Sequence, residues 1–240
     1  MSETSGHILV VGASSGIGRA VAERFAGEAQ VTALARRADR LAELAAAGIA
    51  TLAGDVTDLP AIPGLLQAAV AERGLLTGLV YCAGVQVIKP MRSLSVEEVE
   101  RLYRTNLIAP TLFAAAFSSA RVSTRDAVFC AVSSSAAQRP EPAIVPYAAS
   151  KAGLDALIKG LARELAPRRA VGVAPGWLDT EMTRAHMRLY GTEFREALEK
   201  RSPAGAATIE SVIDAISFLM SAQARHVTGE ILRVDGGAVL

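Results

Sequence analysis

Tyr147 and Lys151 stand four residues apart in Tyr147-Ala-Ala-Ser-Lys151. That spacing puts a phenol and an ammonium on one helix face, about one turn apart. A free phenol titrates near about 10, and a neighbouring cation favours the phenolate and lowers that value. A tyrosine so placed can pass a proton to or from a carbonyl or alcohol oxygen. Taken alone, the pair also reads as a half-buried aromatic beside a surface lysine, so other stretches must decide. Gly12-Ala-Ser-Ser-Gly16-Ile-Gly18 follows the apolar run Ile8–Val11 and precedes a helical pattern. Such glycines let the main chain approach a pyrophosphate, and the helix start offers free N–H groups and a positive dipole end. The alternative is a plain structural turn. Arg36 and Arg37 close a second apolar run, residues 30–35. An acidic residue at the end of a second strand suits the ribose 2′-hydroxyl of NAD, whereas arginine suits the 2′-phosphate of NADP. The pair therefore predicts NADP(H), with NAD(H) possible; solvated helix-start arginines are the competing reading.

The elements that would position these groups alternate. Strands are expected over residues 8–11, 30–35, 49–53, 77–81, 127–132, 170–174 and 230–234, with helices between them. This predicts an α/β fold: a doubly wound, Rossmann-type parallel sheet of about seven strands, helices on both faces and right-handed crossovers. Ligands in such sheets bind beyond the C-terminal strand ends, where the glycine turn, Asp55, Gly84, Ser134 and Pro175-Gly176 all fall. Ser95-Val-Glu-Glu98 fits a capping box opening a long helix through Asn106 to about residue 119, with a kink or a broken ladder expected at Pro110. The helix carrying Tyr147 and Lys151 should run to Leu165, stopped by Pro167.

Composition narrows the function classes. The chain has 240 residues, 51% of them hydrophobic, and a formal net charge of +1. One domain over residues 1–240 can bury a sizeable core. Arg36-Arg37 and Arg168-Arg169 are too short for a nucleic-acid face. No apolar run reaches membrane-spanning length, and the polar stretch Met1–His7 lacks a signal-peptide core, so a cytoplasmic protein is expected. Cys82 and Cys130 read as buried strand residues, not a metal pair or disulfide; no metal is expected.

With these motifs in order, the chain resembles the short-chain dehydrogenase/reductase family, of the shorter single-domain type that includes 3-oxoacyl-ACP reductase-like ketoreductases. The resemblance runs from about Ile8 to Gly237. Gly12, Gly16 and Gly18 match the family's pyrophosphate turn, with Ser14, Ser15 and Ile17 at phosphate and nicotinamide contacts. Asp55 and Val56 match the pair that meets the adenine. Ala83 and Gly84 match the end of the Asn-Asn-Ala-Gly turn, whose two asparagines are here Tyr81 and Cys82. Asn106, Ser134, Tyr147 and Lys151 match the catalytic tetrad, with Ser133 and Ser135 as alternatives to Ser134. Pro175, Gly176, Leu178 and Thr180 match the stretch that grips the carboxamide.

The resemblance implies a mechanism. Ser134 would polarise a substrate ketone, Tyr147 would donate the proton as hydride arrives from NADPH, and Lys151 would lower the tyrosine pKa and hold the nicotinamide ribose. Asn106 would position a water linking Lys151 to solvent, or serve as a helix-kink residue bonding backbone freed near Pro110, or both. The partner would be a small carbonyl or alcohol, without nucleic acid or membrane. The resemblance also implies that small residues at Ala114–Ala116 and at Ala148, Ala152 and Ala156 pair across a two-fold axis in a homodimer or homotetramer; packing of these alanines against the sheet is the alternative. Residues 138–146 should wall the substrate site. Trp177 and a lid over about residues 181–204 should cover it, with His186, Met187 and Tyr190 facing ligand or packing the lid. Arg184, Arg188 and Arg195 are offset there by Glu181, Glu193, Glu196 and Glu199. An NAD-linked alcohol or diol dehydrogenase, or a nucleotide-binding scaffold or sensor without chemistry, are the competing functions.

Overall fold

The computed structural model describes residues 6–181, 183, 184 and 200–239. Strands β1 (His7–Val11), β2 (Gln30–Ala35), β3 (Ala50–Ala53), β4 (Leu76–Tyr81), β5 (Ser123–Val132), β6 (Arg169–Pro175) and β7 (Ile231–Val234) form one parallel sheet. Its order is β3-β2-β1-β4-β5-β6-β7. The helices are α1 (Gly16–Phe25), α2 (Ala38–Ala46), α3 (Ile62–Arg73), α4 (Val96–Tyr103), α5 (Ala109–Phe117), α6 (Val145–Glu164) and α7 (Ile209–Met220).

The two-sided burial is visible in β1, where all five residues are buried. Successive side chains point to opposite faces. Ile8 and Val10 join one core with Val21 of α1, Leu44 of α2 and Ile216 of α7. Leu9 and Val11 join the other with Leu66 of α3, Phe113 of α5 and Leu154 of α6. A strand covered on both sides must be apolar at every position, which is why these strands read as runs and not as alternations. From β1 the chain moves outward to β3 and then returns to place β4 on the other side of β1. That reversal opens a crevice beyond the C-terminal ends of β1 and β4, where Val11 lies opposite Tyr81.

Several expectations change. His7 belongs to β1 and is buried, tied to the Gly74 carbonyl and the Thr32 hydroxyl, each at 2.9 Å; those partners make an imidazole tolerable in a core. β5 begins at Ser123 because Ser123 pairs with Leu76 before a register irregularity in β4. Arg169 is buried and donates to the carbonyls of Leu219, Ser221 and Val227, so it closes the end of α7 instead of facing solvent. Cys130 is buried as expected, but Cys82 lies just past β4 and is half-buried.

The long helix from Ser95 keeps its capping box, and its α-helical ladder is broken just before Pro110. A π-turn over Arg104–Ile108 separates α4 from α5. Pro110 has no N–H for the carbonyl four residues back, Asn106, and its ring crowds that carbonyl; widening the preceding turn relieves both problems. Of the small residues, Ala114 and Ala148 are buried, while Ala115, Ala152 and Ala156 are exposed. Most of the expected lid, Met182 and residues 185–199 with His186, Met187, Arg188, Tyr190, Glu193, Arg195, Glu196 and Glu199, lies outside the described residues.

Candidate active site

The glycine turn is compact because two of its glycines leave no room for a side chain. Gly12 adopts φ +88°, and a Cβ there would lie 2.6 Å from the Ala83 nitrogen. A Cβ on Gly18 would lie 2.3 Å from the Gly12 carbonyl oxygen. Gly12 and Ala13 both donate to the Leu34 carbonyl, at 2.8 and 3.1 Å, which ties the turn to β2. The start of α1 then faces a cavity of about 630 Å³, lined by Ser14, Ser15, Gly16, Ile17 and Gly18. Arg36, Arg37 and Val56 border it on the β2 side; Ala83 and Gly84 border it after β4; Pro175 at the end of β6 and Gly176, Leu178 and Thr180 beyond it complete the border.

Arg37 reaches across to the turn: Nε and Nη2 donate to Ser14 Oγ at 3.2 and 3.1 Å, and Nη1 pairs with Glu181 at 3.1 Å. Arg36 is more exposed and lies 3.6 Å from Asp55. Asp55 does not line the cavity. Its carboxylate accepts from the Thr57 N–H and hydroxyl, both at 2.8 Å. Burial opposes its ionisation, but those bonds and Arg36 prevail and hold the carboxyl below its usual range.

Ser134, Tyr147 and Lys151 also line the large cavity. Ser134 follows the last residues of β5, and its Oγ accepts from the Ala136 N–H at 3.2 Å. Ser133 also lines the cavity, but its hydroxyl is committed to Asp155, to which it donates at 2.5 Å. Ser135 lines only a neighbouring, smaller cavity. Proline at the first turn of α6 costs no helical bond, and the helix presents Tyr147 and Lys151 on one side. Lys151 is 4% exposed; its Nζ donates to the Val132 carbonyl at 2.7 Å and lies 5.9 Å from the Tyr147 ring centre.

The electrostatics correct one expectation. Burial pushes the Tyr147 phenol up from its ordinary value, opposed by a hydrogen bond with Ser134. Burial also pushes Lys151 down to about 8. Loss of hydration penalises both charged forms, so Lys151 does not bring the phenol below its usual range in the protein alone.

Asn106 is buried and does not line the large cavity. Its Oδ1 accepts from the Val85 N–H, and its Nδ2 donates to the Val85 carbonyl, both at 2.9 Å. Nδ2 also donates to Ser150 Oγ at 3.1 Å, while Ser150 donates to the Tyr147 carbonyl at 2.7 Å. The side chain thus joins the π-turn to the strand end and to α6. Its approach to Lys151 is through Gly84: a Cβ there would lie 3.6 Å from both Asn106 Oδ1 and Lys151 Nζ.

Tyr81, where the family has asparagine, supports the same turn. It is fully buried, donates to the Thr105 carbonyl at 2.7 Å and packs against Phe113 with ring centres 5.6 Å apart. Tyr81→Phe keeps the ring contact but leaves a buried carbonyl without its donor. It should destabilise the fold by about 1–3 kcal/mol, read as a lower denaturation midpoint at unchanged slope.

The smaller cavity, about 350 Å³, meets the larger one at Ser134, Tyr147, Gly176 and Thr183. Trp177 and the 138–146 loop border it, as do Gln86, Ile88 and the tail residues Ala238 and Val239. Thr183, Gln86 and the tail were not singled out from the sequence. Thr183 had a signal, its three-residue spacing from Thr180: the Thr180 N–H donates to Thr183 Oγ1 at 2.8 Å.

A family model described as enoyl-(acyl carrier protein) reductase matches residues 12–239. The 3-oxoacyl-[acyl-carrier-protein] reductase FabG of Escherichia coli is 34% identical over 236 residues, covering 95% of each chain. The 3beta-hydroxysteroid dehydrogenase 1 of Eggerthella lenta is 33% identical over 247 residues, covering 97% of this chain and 93% of its own. The solved structure of a point variant of actinorhodin polyketide ketoreductase with NADPH aligns with a TM-score of 0.88 at 27% identity, covering 98% of this chain and 97% of that one. With the parallel seven-stranded sheet, these matches show that the chain belongs to the short-chain dehydrogenase/reductase family of oxidoreductases, which bind a nicotinamide cofactor.

Proposed function

We propose that the protein is an NADP(H)-dependent ketoreductase, interconverting a ketone and a secondary alcohol. The observation that carries this reading is the meeting of two cavities at two hydroxyls, Ser134 and Tyr147, with a buried lysine ammonium behind them. The larger cavity suits a dinucleotide in volume: its glycine turn and helix start fit a pyrophosphate, and its arginines fit a ribose phosphate. When bound, the nicotinamide supplies or accepts the hydride.

The chain's own groups handle the oxygen and its proton. Ser134 Oγ accepts from Ala136, and the hydroxyl proton that it shares with Tyr147 in the structure would turn to polarise a carbonyl oxygen placed between the two. Tyr147 is the general acid in reduction. Its phenol holds its proton at neutral pH, and what makes it a usable donor is stabilisation of the phenolate it leaves, not the upward shift. Lys151, at about 8, titrates close enough to neutrality to return a proton to the tyrosine, and its ammonium favours the phenolate left after transfer. Asn106 holds the π-turn and α6 in register. Exposed Ala115, Ala152 and Ala156 support pairing of copies through α5 and α6.

The reading is tested by NADPH and NADH oxidation against ketones, 3-oxoacyl thioesters and quinones. Turnover with NADPH in preference to NADH is expected; NADH preference or no turnover on the whole panel counts against it. In the Arg36→Ala/Arg37→Ala variant the NADPH:NADH ratio of kcat/KM should fall about 10–100-fold, as expected for loss of charge-assisted phosphate bonds. An unchanged ratio would remove both arginines from cofactor recognition.

A further inference from the structure

The smaller cavity carries information about what enters it. Its walls are apolar where Ile88, Ile144, Trp177 and Val239 meet it, and Ser134 and Tyr147 lie where it joins the larger cavity. Its charged lining is Arg139, Glu141 and Arg201, each side chain a little under half exposed, which places them at the mouth. Two guanidiniums share one carboxylate. Glu141 sits 2.9 Å from Arg201 but 3.8 Å from Arg139, and Arg139 instead donates to the Ala238 carbonyl at 3.2 Å. Arg233 braces the same tail, donating to the Val239 carbonyl at 3.0 Å. Among the described lining residues the mouth thus carries two guanidiniums against one carboxylate, and Arg139 is the more loosely paired of the two.

We propose that the substrate is an oxo acid, or the matching hydroxy acid: a short apolar skeleton with a ketone at Tyr147 and a carboxylate received by Arg139 and Arg201. This rests on the ketoreductase reading of the same site. The planar guanidinium fork matches a carboxylate, and half-exposed ion pairs such as Arg201–Glu141 are weak enough for an incoming anion to compete. The apolar walls bind the skeleton, and the positive mouth separates acids from neutral ketones of the same length.

Trp177 is the chain's one tryptophan and lines this cavity, so its fluorescence reports occupancy without turnover. The protein saturated with NADP⁺ is titrated with 5-oxohexanoate and with its methyl ester. The acid should bind at least about tenfold tighter at low salt, and the gap should narrow as salt screens it. Arg139→Met should bring the acid:ester ratio close to one, while Arg139→Lys should keep part of the preference. Because the readout is a ratio, a general loosening that weakens both ligands does not imitate this result. Equal affinities, no quenching by the acid at millimolar concentration, or a preference unchanged in both Arg139→Met and Arg201→Met would overturn the proposal. Reduction of the ester by NADPH is scored separately: its success upholds the ketoreductase reading if the acid preference fails, and its failure leaves the binding ratio readable.

Discussion

Tyr147→Phe is expected to lower kcat by about 10²–10⁴-fold, the usual worth of a positioned general acid, while NADPH affinity stays close to that of the wild type. The substitution removes one oxygen and keeps the ring, so α6 and its bonds to Asn106 through Ser150 keep their partners. The hydroxyl stands at the junction of the two cavities and is bonded to Ser134; without it, a carbonyl oxygen held by Ser134 has no adjacent acid. Steady-state kinetics with a fluorescence titration of NADPH separates the effects. A kcat that falls less than tenfold would move the proton-donor role away from Tyr147.

The second large effect is expected at Gly18, and its sign runs against helix propensity. Alanine in a helix is ordinarily better than glycine by about 1 kcal/mol. Gly18 lies in α1, yet a Cβ there would sit 2.3 Å from the Gly12 carbonyl oxygen and 2.9 Å from its carbon. Both are main-chain atoms of the turn and cannot swing aside as a side chain would. Gly18→Ala should therefore cost about 1–3 kcal/mol of stability, as overpacking does, and weaken NADPH binding by at least about tenfold, because the turn must open. Gly160→Ala is the control: it lies in α6 with nothing within 4 Å of a new Cβ, and should stabilise by about 0.5–1 kcal/mol. Paired melting curves and NADPH titrations check both. A stable Gly18→Ala protein with wild-type affinity would show that the turn is not a close-fitting cradle.

What could be read from the sequence was what depends on near neighbours. The Tyr147–Lys151 spacing, the glycine turn and the apolar runs are local patterns, and each maps onto α6, the β1–α1 turn and the strands of one sheet. The rest was set by partners distant in sequence. The π-turn at Asn106 combines Pro110, which was visible, with the Tyr81 and Val85 contacts, which were not. His7 looked like part of a polar terminus because the Thr32 and Gly74 groups that receive it lie in other elements. The direction of the Tyr147 shift depended on burial, opposed only by the Ser134 hydrogen bond, and only the packed structure shows burial prevailing. The mouth of the smaller cavity joins Arg139, Glu141, Arg201 and the tail, four places with no common motif.

The most direct test of the central claim is isotope transfer. NADPH carrying deuterium at both C4 positions is incubated with the protein and the best ketone of the panel, and the alcohol product is weighed by mass spectrometry. The account predicts one deuterium at the carbinol carbon in the wild type and about 10²–10⁴-fold slower formation of the labelled alcohol with Tyr147→Phe. Alcohol formed without the label would contradict hydride transfer from the cofactor. NADPH binding with no alcohol formed from any ketone would contradict the ketoreductase assignment and favour a nucleotide-binding scaffold or sensor.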